Sequence, residues 1–302
     1  KFNNILAIKE VLDDASFDEN HRVLKDVVKL LEKYQIRYPR KQQHLSDFFE
    51  KLLTTGLKQE VGQYFTPPPI TKFIVRSLPI KEMILNEANN QVAKLPAVID
   101  YAAGSGHFIT EAMEEYQDVI NAIDIEKDIK YPIAKKEVAS WQADPYNWAA
   151  KYVYGIEKDY RLVKVAKVGC YFYGAGCKDD LEYIGAEKDF TLYKYLTEDS
   201  NNIECLFVER TKHLLKDDGI AAIVLPTSIM YNKGIQTKTR EIILQFFEII
   251  AIVELGGNTF MATNTPTATL FLKRKNNQES IKIKNYVNKF YTEFIDNTIN
   301  QI

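Results

Sequence analysis

The sequence has little of what builds disulfide scaffolds, metal clusters or membrane anchors. Its three cysteines, Cys170, Cys177 and Cys205, lack any Cys-x-x-Cys spacing. That excludes a zinc ribbon and a disulfide framework and predicts reduced, buried thiols, with no metal site. No apolar stretch reaches the ~18 residues of a transmembrane helix. No membrane partner is therefore expected, and the expected location is cytoplasmic. Neither charge sign dominates, because 39 Lys and Arg face 41 Asp and Glu and leave a formal charge of -2. There is no global basic signature for nucleic acid, so such contacts must rest on a local patch or a partner. The chain opens at Lys1 without a methionine or a signal peptide, as a trimmed or processed chain does. It also has no internal repeat.

What is present suits a large α/β domain with a smaller accessory segment. The 302 residues are 46% hydrophobic and 26% charged, ordinary for a globular chain. Residues 1–60 read as a helical segment and residues 61–302 as the main domain. Leu24, Val27, Val28, Leu31 and Tyr34 recur at helical spacing. Arg22, Lys25, Lys29, Lys33 and Arg37 line the other side, as a solvated face or a contact for DNA phosphate. A second stripe holds Leu45, Phe48, Phe49, Leu52 and Leu53, between Ser46 near its start and Gly56 at its end. From residue 61, β-rich runs alternate with helical patterns, which predicts a mostly parallel sheet covered by helices. The expected strands are Ala97–Asp100, Val153–Glu157, Cys170–Tyr173, Ile220–Leu225, Ile249–Leu255 and Thr267–Lys273. Expected helices carry Leu162, Val165, Ala166 and Gly169, then Ile203, Leu206, Phe207 and Leu214. Asn201 and Glu204 are spaced as a capping box.

The sharpest local feature is Val98-Ile99-Asp100-Tyr101-Ala102-Ala103-Gly104-Ser105-Gly106. An apolar strand ends in an acid, a turn with two glycines follows, and a helix starts near His107. Glycines there let the backbone turn tightly and approach a ligand. Ile109 stands where a dinucleotide site would place its third glycine, and the acid suits a cationic ligand better than a pyrophosphate. A ribose needs a second carboxylate, which can accept from both hydroxyls. Glu157 and Asp124 both fit, and Asp124 lies nearer the usual spacing. Asp179 and Asp180 suit either an adenine amino group or an ordinary turn. Gly62-Gln63-Tyr64-Phe65-Thr66-Pro67 leads into Pro68 and Pro69 at a helix start.

In that order, Gly62–Pro67, Asp100–Phe108, Tyr154–Glu157 with Leu162–Val168, and Phe207–Pro226 resemble the adenine-specific DNA methyltransferases of restriction-modification systems. The likeness is greatest to the modification subunits of type I systems and runs from about residue 45 to about 275. It implies a Rossmann-like, S-adenosylmethionine-dependent methyltransferase sheet behind the N-terminal helical segment. The cofactor implied is S-adenosyl-L-methionine. Tyr64, Thr66 and Pro67 would line its pocket. Asp100, Ala102, Gly104 and Gly106 would hold the methionine part. Glu157 rather than Asp124 would bind the ribose, and Asp179 would face the adenine. Phe260, in Asn258-Thr259-Phe260, matches the block that presents an aromatic to the target base; a core phenylalanine is the plainer account. The implied partners are double-stranded DNA, a specificity subunit and a restriction subunit.

The family also carries a catalytic tetrapeptide of Asn or Asp, Pro, Pro, and Tyr or Phe. Its place lies between Ile184 and Ile203, where Lys188-Asp189-Phe190 runs into Thr191-Leu192-Tyr193-Lys194 with no Pro-Pro. Asp144-Pro145-Tyr146-Asn147 lacks the second proline and precedes Glu157. The catalytic residues are thus unknown. The resemblance implies methyl transfer to the exocyclic amino group of adenine in an intact protein, and otherwise a cofactor-binding subunit without chemistry.

Overall fold

The computed structural model describes residues 14–34, 66–172, 190–196, 202–257, 259–260 and 265–276, with Lys282, Asn285 and Lys289. Helix α1 spans Asp14–Leu31, where helical periodicity places it. Its residues from Asp18 on are exposed, Val23, Leu24, Val27, Val28 and Leu31 included. The stripe at Leu45–Leu53 lies outside the described residues, as does Arg37.

The main body opens with α2 (Pro68–Arg76) and α3 (Ile80–Ala88). Prolines at the first two positions of α2 suit a helix start, where the missing N–H has no acceptor. Strand β1 (Val98–Asp100) then runs through the glycine turn into α4 (His107–Asn121). Two shorter helices, α5 (Ile125–Asp128) and α6 (Pro132–Ala143), and the single turn α7 (Ala149–Tyr152) lead to β2 (Val153–Gly155). Strands β1 and β2 pair in parallel, Ile99 opposite Tyr154 and Asp100 opposite Gly155. Helix α8 (Tyr160–Phe172) follows.

After a short 3-10 turn at Tyr193–Tyr195 come α9 (Glu204–Leu214), β3 (Ile220–Pro226), α10 (Ile235–Phe246), β4 (Phe247–Leu255) and β5 (Thr267–Arg274). These strands form a sheet in the order β3-β5-β4, with β5 antiparallel to both neighbours. Its core is Val208, Ile223, Leu225, Ile243, Phe247, Leu270 and Leu272. A larger core under α4 gathers Ile84, Met113, Tyr116, Ile120, Trp141 and Trp148.

Three expectations are corrected. The run expected as a strand at Cys170–Tyr173 is helical where described: Cys170, Tyr171 and Phe172 end α8, and Tyr173 lies outside the described residues. Leu162, Ala166 and Cys170 fall four apart and are all buried while Tyr171 is exposed, a helical period rather than an alternating one. One described strand runs against the expected parallel direction: β5 inserts between β3 and β4 and is antiparallel to both, while β1 and β2 pair in parallel. Helix α9 has no side-chain cap: Ile203 stands at its N-cap, and Asn201 lies outside the described residues.

Two close approaches set α4 against its surroundings. A Cβ on Gly155 would lie 2.5 Å from Ile109 Cδ1, and one on Gly106 would lie 2.9 Å from Ala166 Cβ. At the far end of α4, buried Gln117 holds the chain around Tyr146. Its Oε1 accepts from the Tyr146 amide and Trp148 Nε1, and its Nε2 donates to Asn121 and to the Trp141 carbonyl.

Gly155→Ala is expected to cost about 1–3 kcal/mol by overpacking. Ile109→Val removes the atom that collides, at about 1 kcal/mol on its own. In thermal or urea unfolding the double variant should be less destabilised than the sum of the two; simple additivity would show that the two positions do not meet.

Candidate functional site: the glycine turn and its carboxylates

Gly104 and Gly106 have φ of 52° and 88°, the left-handed region that favours glycine. The Gly106 amide donates to the Ala103 carbonyl, and α4 begins with no side-chain cap. Its first amides therefore have no acceptor within the helix and form a positive end. His107 is simply the first residue of that helix and is buried.

Two carboxylates flank this turn. Asp100 ends β1, and its Oδ1 accepts from the Ala102 amide at 3.0 Å. Its Oδ2 is buried with no hydrogen-bond partner. Burial first, and the nearby Glu157 carboxylate second, push its pKa up to about 6, against the pull of the Ala102 amide. Glu157 comes just after β2. Its Oε2 accepts from the Gly104 amide and its Oε1 from the Asp159 amide, both at 2.8 Å. The backbone continues the pairing of β1 with β2 past the strand ends: Ile156 donates to the Asp100 carbonyl and Ala103 to the Ile156 carbonyl. The structure thus brings Asp100, Ala102, Gly104, Gly106 and Glu157 into one cluster.

Asp124, the alternative ribose acid, is used otherwise. It caps α5, accepting from the Glu126 and Lys127 amides, and pairs with the Lys127 ammonium at 2.8 Å. The Lys127 side chain and these amides hold its carboxyl below the usual range. Asp144-Pro145-Tyr146-Asn147 is fastened to Gln117. That is ten residues along α4 from its start, roughly 15 Å from the glycine turn at 1.5 Å per residue.

Thr66 and Pro67 are half-buried and lead into α2, where the Thr71 hydroxyl donates to the Pro67 carbonyl. Helix α2 packs along α4, with Arg76 paired to Glu115 at 3.3 Å. Tyr64 and Asp179 lie outside the described residues. Phe260 is buried, 7% exposed, beside Thr259, which donates to the Gly256 carbonyl. Among the described residues no His, Cys, Asp and Glu cluster of metal-binding size forms, and no helix is long and apolar enough to cross a membrane.

Sequence reasoning missed two participants. Tyr101, next to Asp100, stacks on Phe207 of α9 with centroids 5.8 Å apart and hydrogen-bonds with Thr211 at 2.5 Å. Such a long-range partner leaves no local signal. Gly155 clears space for Ile109; its place at a strand end, pointing at the helix after the turn, was the available clue.

Known proteins share this architecture. The sequence model of the family described as N-6 DNA Methylase matches residues 40–185 and 182–300. The methylase subunit of the type I restriction enzyme EcoEI from Escherichia coli is 23% identical over 292 residues, covering 88% of this chain and 54% of that protein. The chain thus spans about half the length of the curated relative it matches. A Vibrio vulnificus protein assigned as the modification subunit of a type I restriction enzyme has a similar structure, with 20% identity and a TM-score of 0.55. That match covers 84% of this chain and 53% of the other. A Listeria monocytogenes protein assigned as a class I S-adenosylmethionine-dependent methyltransferase matches with 17% identity and a TM-score of 0.51, over 82% and 72% of the two chains. At these identities the structural likeness establishes the α/β methyltransferase fold. The family model reaches across well over half of the residues, and on that ground the chain belongs to the N-6 DNA Methylase family.

Proposed function

We propose that this chain forms the S-adenosylmethionine-binding core of an adenine-specific DNA methyltransferase in a type I restriction-modification system. The observation that carries the reading is the Asp100 carboxyl, with one oxygen buried and unpartnered at the mouth of a glycine turn. The residues fit the cofactor. Asp100 Oδ2 is an acceptor in need of a cationic donor, such as an amino acid's ammonium. Gly104 and Gly106 leave room beside it, and the uncapped start of α4 suits a carboxylate. Glu157 is oriented by two amides and keeps lone pairs for ribose hydroxyls. Ala102 is small enough to let the ligand lie close. Tyr64, Thr66 and Pro67 would close one wall, and Asp179 would accept from the adenine.

When bound, the cofactor supplies a methyl group on a sulfonium that is already a good leaving group. The protein's own part is to orient the two reactants and exclude water. Phe260 would stack on the flipped target base. The adenine nitrogen must still be made nucleophilic, by acceptors for its two hydrogens, and this is the task of the absent tetrapeptide. We place its loss near Phe190, within the stretch between Ile184 and Ile203 where the family's pattern puts it. Among the described residues β1 has only β2 as a neighbour, and β3 has only β5. A strand between β1 and β3, ending in the tetrapeptide, would join both edges. In this reading residues 1–60 are an accessory helical segment and 61–302 the catalytic domain. The working partners are duplex DNA, a specificity subunit and a restriction subunit in the cytoplasm. The missing Pro-Pro favours one second reading, a subunit that binds the cofactor without chemistry.

Sequencing the parent gene across residues 184–203 separates the two. A Pro-Pro tetrapeptide found there, with label passing from tritiated cofactor to adenine in duplex DNA, is the expected result. A contiguous gene and unlabelled DNA would leave only the binding subunit.

Asp100 makes a prediction about pH. Its folded pKa is above its unfolded value, so the folded state holds more protons between pH 4 and pH 6. Stability therefore falls as pH rises through that window and levels off above it. The ionised carboxyl costs the ligand-free fold about 3 kcal/mol at neutral pH. Asp100→Asn should be at least as stable as wild type at pH 7.5 in thermal melts. Affinity for S-adenosylhomocysteine should drop roughly tenfold per pH unit below about 6 in wild type. In Asp100→Asn it should be weak and flat across that range. A wild-type affinity unchanged from pH 7.5 to 5 would refute the role.

A further inference from the structure

Helix α9 carries a second fastening, on a different side from Tyr101. Glu209 is fully buried. Its Oε1 accepts from the Thr191 amide at 2.8 Å and the Thr191 hydroxyl at 2.6 Å, and its Oε2 from the Leu192 amide at 3.0 Å. Burial alone would push this carboxyl up. The Thr191 hydroxyl and the two amides more than offset it and hold it below the usual range. Leu192 drops into a small core with Cys205, Ile235 and Ile242. The Phe190 ring lies against His213 at 5.9 Å, with the Arg210 guanidinium 4.4 Å from its centroid. Residues 190–192 thus form a strap across α9.

The Tyr101 contact uses Phe207 and Thr211, one turn apart on α9. Glu209 lies midway between them in sequence, about 200° around the helix from Thr211 and about 3 Å along it. The glycine turn and the strap therefore grip one helix from nearly opposite sides. A helix passes such constraints on as a rigid rod, because shearing it breaks several backbone bonds together.

We propose that Glu209 is a positioning residue that locks residues 190–192 to α9, so that strap and glycine turn are held as one body and the cofactor turn's occupancy is felt at the strap. The ligand part rests on the cofactor reading above. The strap begins where the family's pattern expects its tetrapeptide. A lock there would set the methyl acceptor's side of the site against the cofactor's side. A three-bond clamp on a buried carboxylate is a strong device for this, since no bond can be given up to water.

Amide hydrogen exchange on the full chain, with and without S-adenosylhomocysteine, tests the lock. In wild type the ligand should slow exchange over residues 101–106 and also over 190–196. Glu209→Gln keeps one acceptor oxygen and sets an NH2 group against a backbone N–H. It should speed strap exchange by about tenfold or more, as for loss of a hydrogen bond to a charged acceptor. In this variant the ligand should still protect the turn but no longer the strap. By linkage, its affinity should weaken by no more than the factor by which it protected the strap in wild type. Thr191→Val, which removes only the hydroxyl bond, should move strap exchange the same way by less, and it carries the test if Glu209→Gln does not fold. Strap exchange indifferent to both substitutions would overturn the clamp. A wild-type strap indifferent to bound ligand, or an affinity loss beyond the linkage factor, would overturn the coupling. Absence of any ligand binding would instead sink the cofactor reading, while the exchange of the two variants would still decide the clamp.

Discussion

The approach of the first turn of α4 to the β1–β2 pair is the constraint on which the rest of the site depends. A ligand turn at a strand end works only if the helix behind it comes close enough to aim its first amides at the ligand. In dinucleotide-binding folds a glycine on the helix permits this. Here the helix has Ile109, and the space is given up by the strand instead, at Gly155. Gly106 does the same toward Ala166 of α8. With the distance set, Glu157 can reach the Gly104 amide and brace the turn from β2. Exchanging which partner is small keeps the geometry while changing the motif.

Much of this was legible in the chain. The strand-acid-glycine-helix order, the helical stripe from Leu162 and the late strands follow from periodicity and turn chemistry, which are local. Thr66 and Pro67 at the start of α2 were readable for the same reason. The choice between Glu157 and Asp124 was not, on spacing alone. What the fold shows is their placement: Glu157 lies just past a strand end beside the turn, and Asp124 caps a helix. The run at Cys170 misled because four apolar and aromatic residues in a row fit a buried strand or a helix end equally. The Tyr101 contact with α9 joins positions more than a hundred residues apart and leaves no periodic trace.

The sheet shows a division of labour. The parallel pair β1–β2 bears the ligand turn, while β3, β5 and β4 form a platform in which β5 runs antiparallel to both neighbours. Helix α9 connects the two: it packs on β3, receives Tyr101 from the end of β1 and carries the strap. The Lys216–Glu87 pair adds a surface tie, and such exposed pairs contribute little. Among the described residues, the aromatic stack and the hydroxyl bond of Tyr101 tie the two parts together away from the exposed surface pair.

Asp100 has one more consequence, a thermal one. With its pKa near 6, a substantial share of ligand-free molecules carry a proton there in mildly acidic solution. A cationic ligand that settles against this oxygen must expel that proton to the buffer. The heat of binding then contains the buffer's own enthalpy of protonation, so two buffers of equal pH would register different enthalpies for one and the same affinity. The glycine turn is in this sense a proton-exchanging site even though no proton takes part in its chemistry.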